Sequence, residues 1–181
     1  MVWRISSLEE YISAGKSRND IRKLANAFRK CLKKENDKYF PIVETLDALS
    51  EMCDKFNYEI VENDKIKSKS VHAYTDIIAG QVCIKQSVYE GACNGNGRDR
   101  MTIAHEIGHF LLHSLYEFKL ERNFDGKKAK VCQDIEWQAK CFAGELLIPT
   151  HLMKGCSIKE IMKECGVSHS AAEYQYRKMN Q

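Results

Sequence analysis

The sequence predicts an α+β protein in which a small antiparallel sheet packs against helices and a helix pair closes the C-terminal end. Three observations carry that expectation. Before Asn57 and after Asp99, apolar residues recur at the 3–4 spacing of amphipathic helices. Between those regions lie short β-branched or aromatic stretches separated by polar turns. Finally, 181 residues with 44% hydrophobic and 29% charged content suit one well-cored globular domain. We read it as an N-terminal helical segment over 1–40, a core over 41–155 and a helix-turn-helix-like pair over 156–181.

From about Ser17 to Lys34, Ile21, Leu24, Ala25, Phe28, Cys31 and Leu32 share one helical face. Arg22, Lys23, Arg29, Lys30, Lys33 and Lys34 fill the rest, read as solvated surface rather than a phosphate site. Pro41 suits the first turn of a second helix with Ile42, Leu46, Leu49, Met52, Cys53 and Phe56 on its apolar face. Tyr58–Val61, Val71–Tyr74 and Gln81–Ile84 are the expected strands. Gly91–Gly97 reads as a loop. Its glycines lack the spacing of a phosphate-binding loop, and no Lys-Ser or Lys-Thr follows, which excludes that nucleotide site.

Two further helices are expected, one over Arg100–Leu115 and one from Asp134 to the stop at Pro149. The polar stretch between them carries an Asp125-Gly126 turn signal. Ser157–Glu164 and Ser168–Met179 then form the helix pair across Gly166-Val167. Its turn resembles a helix-turn-helix, yet Arg177 and Lys178 lie at the far end of the second helix rather than at its base-reading start. Packing is therefore expected, not direct DNA binding, and a net charge of +3 does not call for nucleic acid. Met1–Ile5 opens no signal-peptide run and no stretch could span a bilayer, so the expected location is the cytoplasm, with no membrane partner. The eight cysteines, lacking paired C-x-x-C spacing, are expected as reduced thiols, with Cys31 and Cys141 at core spacing.

The chemistry lies in His105-Glu106-Ile107-Gly108-His109. Histidines at i and i+4 project from one helical face, so two imidazoles can reach one metal. The glutamate after the first can take a proton from an activated water. With six histidines and sixteen glutamates in the chain, chance produces this H-E-x-x-H pattern with a probability of roughly 0.02, so the motif alone is not decisive. Ile103, Ile107, Phe110, Leu111 and Leu112 make the helix mostly apolar, and buried histidines need partners.

A catalytic zinc site takes a third protein ligand and leaves a position open. His113 lies eight residues from His105, about 12 Å along a helix axis, whereas two nitrogens on one zinc sit only ~3–4 Å apart. An unbroken helix cannot supply all three. The metzincin pattern also fails, since Leu112 and Leu115 occupy its glycine and third-histidine positions. Glu136 fits better: it borders the stripe of Ile135, Ala139, Phe142, Ala143, Leu146 and Leu147, where a carboxylate needs a proton or a cation, the alternative being a glutamate that reaches out to the surface. Gly108, Ala139, Ala143 and Gly144 are expected to let the two helices approach closely.

Two stretches, Arg98–His113 and Glu136–Pro149, match the patterns R-x-R-x-T-x-A-H-E-x-G-H and E-x-x-A-x-x-F-A-x-x-L-L-x-P. In these the chain resembles the ImmA/IrrE-type metallopeptidases, with a weaker likeness over most of the chain beyond about Pro41. The resemblance implies a zincin-like active-site helix and Zn2+ on His105, His109 and Glu136, with Glu106 as general base. It also implies a regulatory endopeptidase of the bacterial cytoplasm whose protein substrate is a helix-turn-helix transcriptional repressor, often of mobile elements. Substrate would lie as an added strand on a sheet edge, and Tyr74, Tyr89, Arg100 and His151 are the candidates for steadying the oxyanion.

Two positions depart from the family. Gln138 stands where a second acid is common, and Lys140 where asparagine is common. A lysine cannot accept an imidazole proton, so if that position orients a ligand histidine, either activity is weaker than usual in the family or the orienting group comes from elsewhere. Cys132, one turn before Glu136, is a candidate to block or tune the metal, with a packed thiol the commoner arrangement. The competing expectation is a zinc-stabilised protein that sequesters a regulator without cutting it; a dispensable Glu106 separates the two.

Overall fold

The computed structural model describes residues 11–66, 71–115, 121–122 and 130–180. The Asp125-Gly126 turn and the Met1–Ile5 segment lie outside them. Strand β1 (Tyr11–Ile12) pairs antiparallel with β5 (Glu121–Arg122). Helix α1 (Arg18–Cys31) starts in a capping box: Ser17 Oγ accepts from the Asp20 amide, and the Asp20 carboxylate accepts from the Ser17 amide. Pro41 is the residue before helix α2 (Ile42–Met52) rather than its first turn.

The sheet contains β2 (Asn57–Val61), β3 (Ala73–Asp76) and β4 (Gln81–Lys85) in the order β2-β4-β3. It is mixed, not antiparallel as expected. β3 and β4 form an antiparallel hairpin, but the chain carries β3 to the far edge and brings β4 back between the two, so β4 runs parallel to β2. Alternation within each strand encodes which face is buried and says nothing about which strand lies in the middle. The hairpin turn is held by Asp76 Oδ1, which accepts from the Ile78 and Ala79 amides. Gly80 ends it at φ +67°, and a Cβ there would lie 2.0 Å from the Lys55 carbonyl. No other residue fits.

The expected Gly91–Gly97 loop narrows to a turn over 94–96 between two helices. α3 (Gln86–Cys93) runs on directly from β4, burying Val88 and Ala92 one turn apart. The glycines and asparagines masked that 3–4 spacing. Asn96 then caps α4 (Gly97–His109), accepting from the Arg98 and Asp99 amides, so this helix starts three residues earlier than expected. It does not continue as α-helix to Leu115: Phe110–Leu115 is a π-helical turn. After a 3-10 turn at Val131–Gln133, Asp134 caps α5 (Ile135–Leu147). The short α6 (Thr150–Met153), α7 (Ile158–Cys165) and α8 (His169–Met179) follow.

The apolar faces of α1, α2, α4, α5, α7, α8 and the sheet merge in one core around Phe40, Ile103, Ile107, Phe142 and Leu146. Three expected faces need correction. Met52 is exposed, at the fraying end of α2, and so is Cys31, the last residue of α1. Arg29, expected in solvent, is fully buried: its guanidinium donates to the Leu146 and Asp37 carbonyls and lies over the Phe40 ring. All eight cysteines are free thiols, with Cys83, Cys141 and Cys165 buried. No described helix is long and apolar enough to cross a membrane.

Candidate metal centre

α4 and α5 cross in close contact, and the reason lies in two residue types. A Cβ on Gly108 would sit 3.2 Å from the Ala139 carbonyl oxygen and 3.2 Å from Phe142 Cδ1. A glycine on one helix and an alanine on the other thus let the backbones meet. Gly144, expected to serve the same contact, instead faces the Gln175 side chain of α8. At the crossing, His105 and His109 project one turn apart from α4, and Glu136 rises from the first turn of α5. The imidazole Nε2 atoms are 3.0 Å apart. Glu136 Oε2 lies 3.3 Å from His105 Nε2, and Oε1 lies 3.2 Å from His109 Nε2.

These three residues offer one donor atom each within 4.8 Å of one another, a group that could hold a metal ion. The donor set tests well for zinc. Two imidazole nitrogens and a carboxylate oxygen are its usual ligands, and the 3.0–3.3 Å separations suit bonds of about 2 Å to a shared tetrahedral ion. Hydrogen bonds from His105 and then His109 hold the Glu136 carboxyl well below the usual carboxylate range, so it stands ionised.

Glu106 lies between the two histidines in sequence and faces the sheet. It is 6% exposed, and Thr75 Oγ1 is 2.7 Å from its Oε2 and 3.1 Å from its backbone carbonyl. Sequence reasoning missed Thr75. The signal was present in the parity of β3, whose Ala73 and Thr75 face α4 while Tyr74 turns away. An open cleft of about 460 Å³ leads to the group, lined by Val71, His72, Ala73 and Tyr74 on one wall and by Thr102, His105, Glu106, His109, Glu136 and Lys140 on the other.

The candidates for an oxyanion donor fare differently. Arg100 is buried away from the cleft, giving its hydrogens to the Gly166 and Phe40 carbonyls beneath the Tyr39 ring. His151 meets the Glu35 carbonyl, and Tyr89 packs against the core beside Cys93. Tyr74 lines the cleft, but its hydroxyl bonds the Cys83 thiol, which pushes the phenol up to about 12. None of the four presents a free donor to the Glu106 side of the cleft.

The two departures separate as well. Lys140 is exposed on the cleft wall, one turn beyond Glu136, and contacts neither histidine by a hydrogen bond. Gln138 is fully buried and turned from the cleft: its amide reaches Ser13 Oγ and the Ala14 and Cys132 carbonyls, tying the N-terminal segment to α5. Cys132 is not among the grouped donors, and a Cβ on Gly15 would lie 3.1 Å from its Sγ, which marks a packed thiol. His113 is also outside the group. Its ring lies behind His109, 3% exposed, and burial together with His109 pushes the imidazole down to about 3, so it is neutral.

Residues 53–176 match the family described as Peptidase_M78, IrrE N-terminal-like domain. The matched span contains α4, α5, the sheet and every residue of the candidate centre. No curated protein matches the chain.

Proposed function

We propose, because the chain belongs to the Peptidase_M78 family of IrrE N-terminal-like domains, that this metallopeptidase-type protein is a zinc-dependent endopeptidase. The observation that carries the proposal is a carboxylate anchored by a threonine beside a two-histidine, one-glutamate donor group on an open cleft. His105, His109 and Glu136 would hold the zinc. When bound, the ion supplies Lewis acidity toward the scissile carbonyl and the attacking water. Glu106 takes the water's proton and returns it to the leaving amine. Thr75 donates to Oε2, which leaves Oε1 as the atom that carries the proton.

β3 is an edge strand, with β4 on one side and the cleft at its start. An extended peptide can therefore add along it and lay its backbone across the donor group. Regulatory cleavage of a helix-turn-helix repressor in the bacterial cytoplasm is supported by the family resemblance alone.

The test compares wild type with Glu106→Gln, each incubated with zinc and the host's soluble proteome, and reads new protein termini by mass spectrometry. Termini arising only with wild type are expected, with turnover in the variant lower by about 10²–10⁴-fold. A wild-type protein that keeps its zinc but produces no termini would favour the sequestering alternative. Equal cleavage by the variant would refute the role of Glu106.

A further inference from the structure

Resting on the metal reading above, we propose that His113 is a positioning residue for the centre: it accepts the Nδ1 proton of His109 and so fixes that ligand's tautomer and ring orientation. His109 Nε2 points into the donor group, 3.0 Å from His105 Nε2 and 3.2 Å from Glu136 Oε1. A neutral imidazole that offers Nε2 as a ligand must carry its proton on Nδ1. Metal-bound histidines almost always give that second N–H to an acceptor.

His109 has little choice of acceptor. It is 2% exposed, so bulk water cannot serve, and its buried Nδ1 has no hydrogen-bond partner among the described residues. His105, 18% exposed, is not constrained in this way. The family position that could orient a histidine holds Lys140, which has donors only. Gln138 Oε1 is an acceptor without a partner among the described residues, but its side chain is tied through Nε2 to Ser13, Ala14 and Cys132, away from the cleft.

His113 supplies what is missing. Its ring packs against that of His109 at a centroid distance of 5.6 Å; both its nitrogens are buried, and neither makes a full hydrogen bond among the described residues, although the Ile135 backbone lies beside the ring. A nitrogen from each ring spans that separation when the two are turned toward each other. Three unsatisfied nitrogens in adjacent buried rings are costly if idle and become one hydrogen bond if paired. The π-helical turn at Phe110–Leu115 contributes the placement, because widening the helix immediately after His109 alters where the residue four positions on projects. The same residue that cannot reach the donor group as a third ligand is thus seated behind a ligand.

The test measures zinc affinity of the full chain by competition with a chromophoric chelator, for wild type, His113→Phe and His113→Gln, alongside thermal unfolding of each metal-free protein. Phenylalanine keeps the volume and removes the acceptor, and glutamine restores a carbonyl acceptor. The expected result is zinc affinity lower by about 10–100-fold in His113→Phe and largely recovered in His113→Gln, with the metal-free phenylalanine variant at least as stable as wild type. Long-range ¹⁵N correlation spectra of the zinc-loaded proteins should find His109 protonated at Nδ1 in wild type and altered in His113→Phe. Should His113→Phe fail to fold, His113→Leu takes its place. Unchanged affinity in the phenylalanine or leucine variant, or no recovery with glutamine, overturns the positioning role while leaving the metal centre standing. Failure of wild type to bind one zinc overturns both.

Discussion

The hydroxyl of Thr75 is 2.7 Å from a carboxylate oxygen of Glu106, and under the proposed role of Glu106 as general base that contact bears on the rate. A hydrogen bond to a charged partner is worth about 1.5–3 kcal/mol, and each 1.36 kcal/mol is tenfold in rate. Thr75→Val keeps the shape of the side chain and deletes the donor. Steady-state kinetics on a peptide spanning the cleavage site should then find kcat lower by about tenfold to a hundredfold with KM little changed. A KM effect alone would mean that Thr75 shapes the cleft rather than holding the base. At this scale His105, Glu106 and His109 were legible because their relation is local, one turn of one helix. The contact of Thr75 with Glu106 spans 31 residues of chain and appears in no local pattern. Arg29 was misread for the same reason: its acceptors, the Leu146 and Asp37 carbonyls, are fixed by tertiary packing rather than by its own helix.

Helices decide whether the three donor atoms meet. Gly108 sets the distance between α4 and α5, and its neighbours there are the Ala139 backbone and the Phe142 ring. Adding a methyl group by Gly108→Ala overpacks the crossing at a cost of about 1–3 kcal/mol, against a gain in helix propensity of about 1 kcal/mol. Urea denaturation should therefore detect a net loss near 1 kcal/mol, and zinc affinity should fall because Glu136 is pushed from the histidines. A net gain in stability, as for an exposed helix glycine, would contradict the close approach. Gly108 and Ala139 at the crossing and the helix pair were readable from spacing, and the helices expected from about Ser17 and from Ser157 do start there, in capping boxes. The π-helical turn was not, since nothing in Phe110–Leu115 distinguishes it from an α-helical apolar run. Nor was the parallel pairing of β2 with β4, which depends on where the chain crosses rather than on either strand's composition.

Across the whole molecule, one buried carboxylate joins α1, α6 and α8 to the helix that carries Glu136. Glu145, near the far end of α5, is fully buried, with Arg18 and Arg22 of α1 at 3.0 and 2.8 Å. Thr150 of α6 donates to it at 3.0 Å, and Arg18 also reaches Gln175 and Tyr174 of α8. Burial alone would push the Glu145 carboxyl up, but the Arg22 guanidinium, with Gln175 and Thr150, outweighs it and holds the group below its ordinary value of 4.5. A carboxyl depressed on folding contributes stability that is complete above its unfolded value and is lost as pH falls through the folded one. Breaking such a buried pair costs about 3–5 kcal/mol. Glu145→Gln should sit near the lower figure, because both arginines are partly exposed and can turn to solvent. The gap between wild type and variant in urea denaturation should thus be about 3 kcal/mol at pH 7. Below pH 4.5 it should close progressively, since a protonated Glu145 and a glutamine offer the arginines the same neutral partner. A gap that stays constant from pH 7 to about pH 3 would mean the arginines hold α1 through their packing on α5 instead of through this charge.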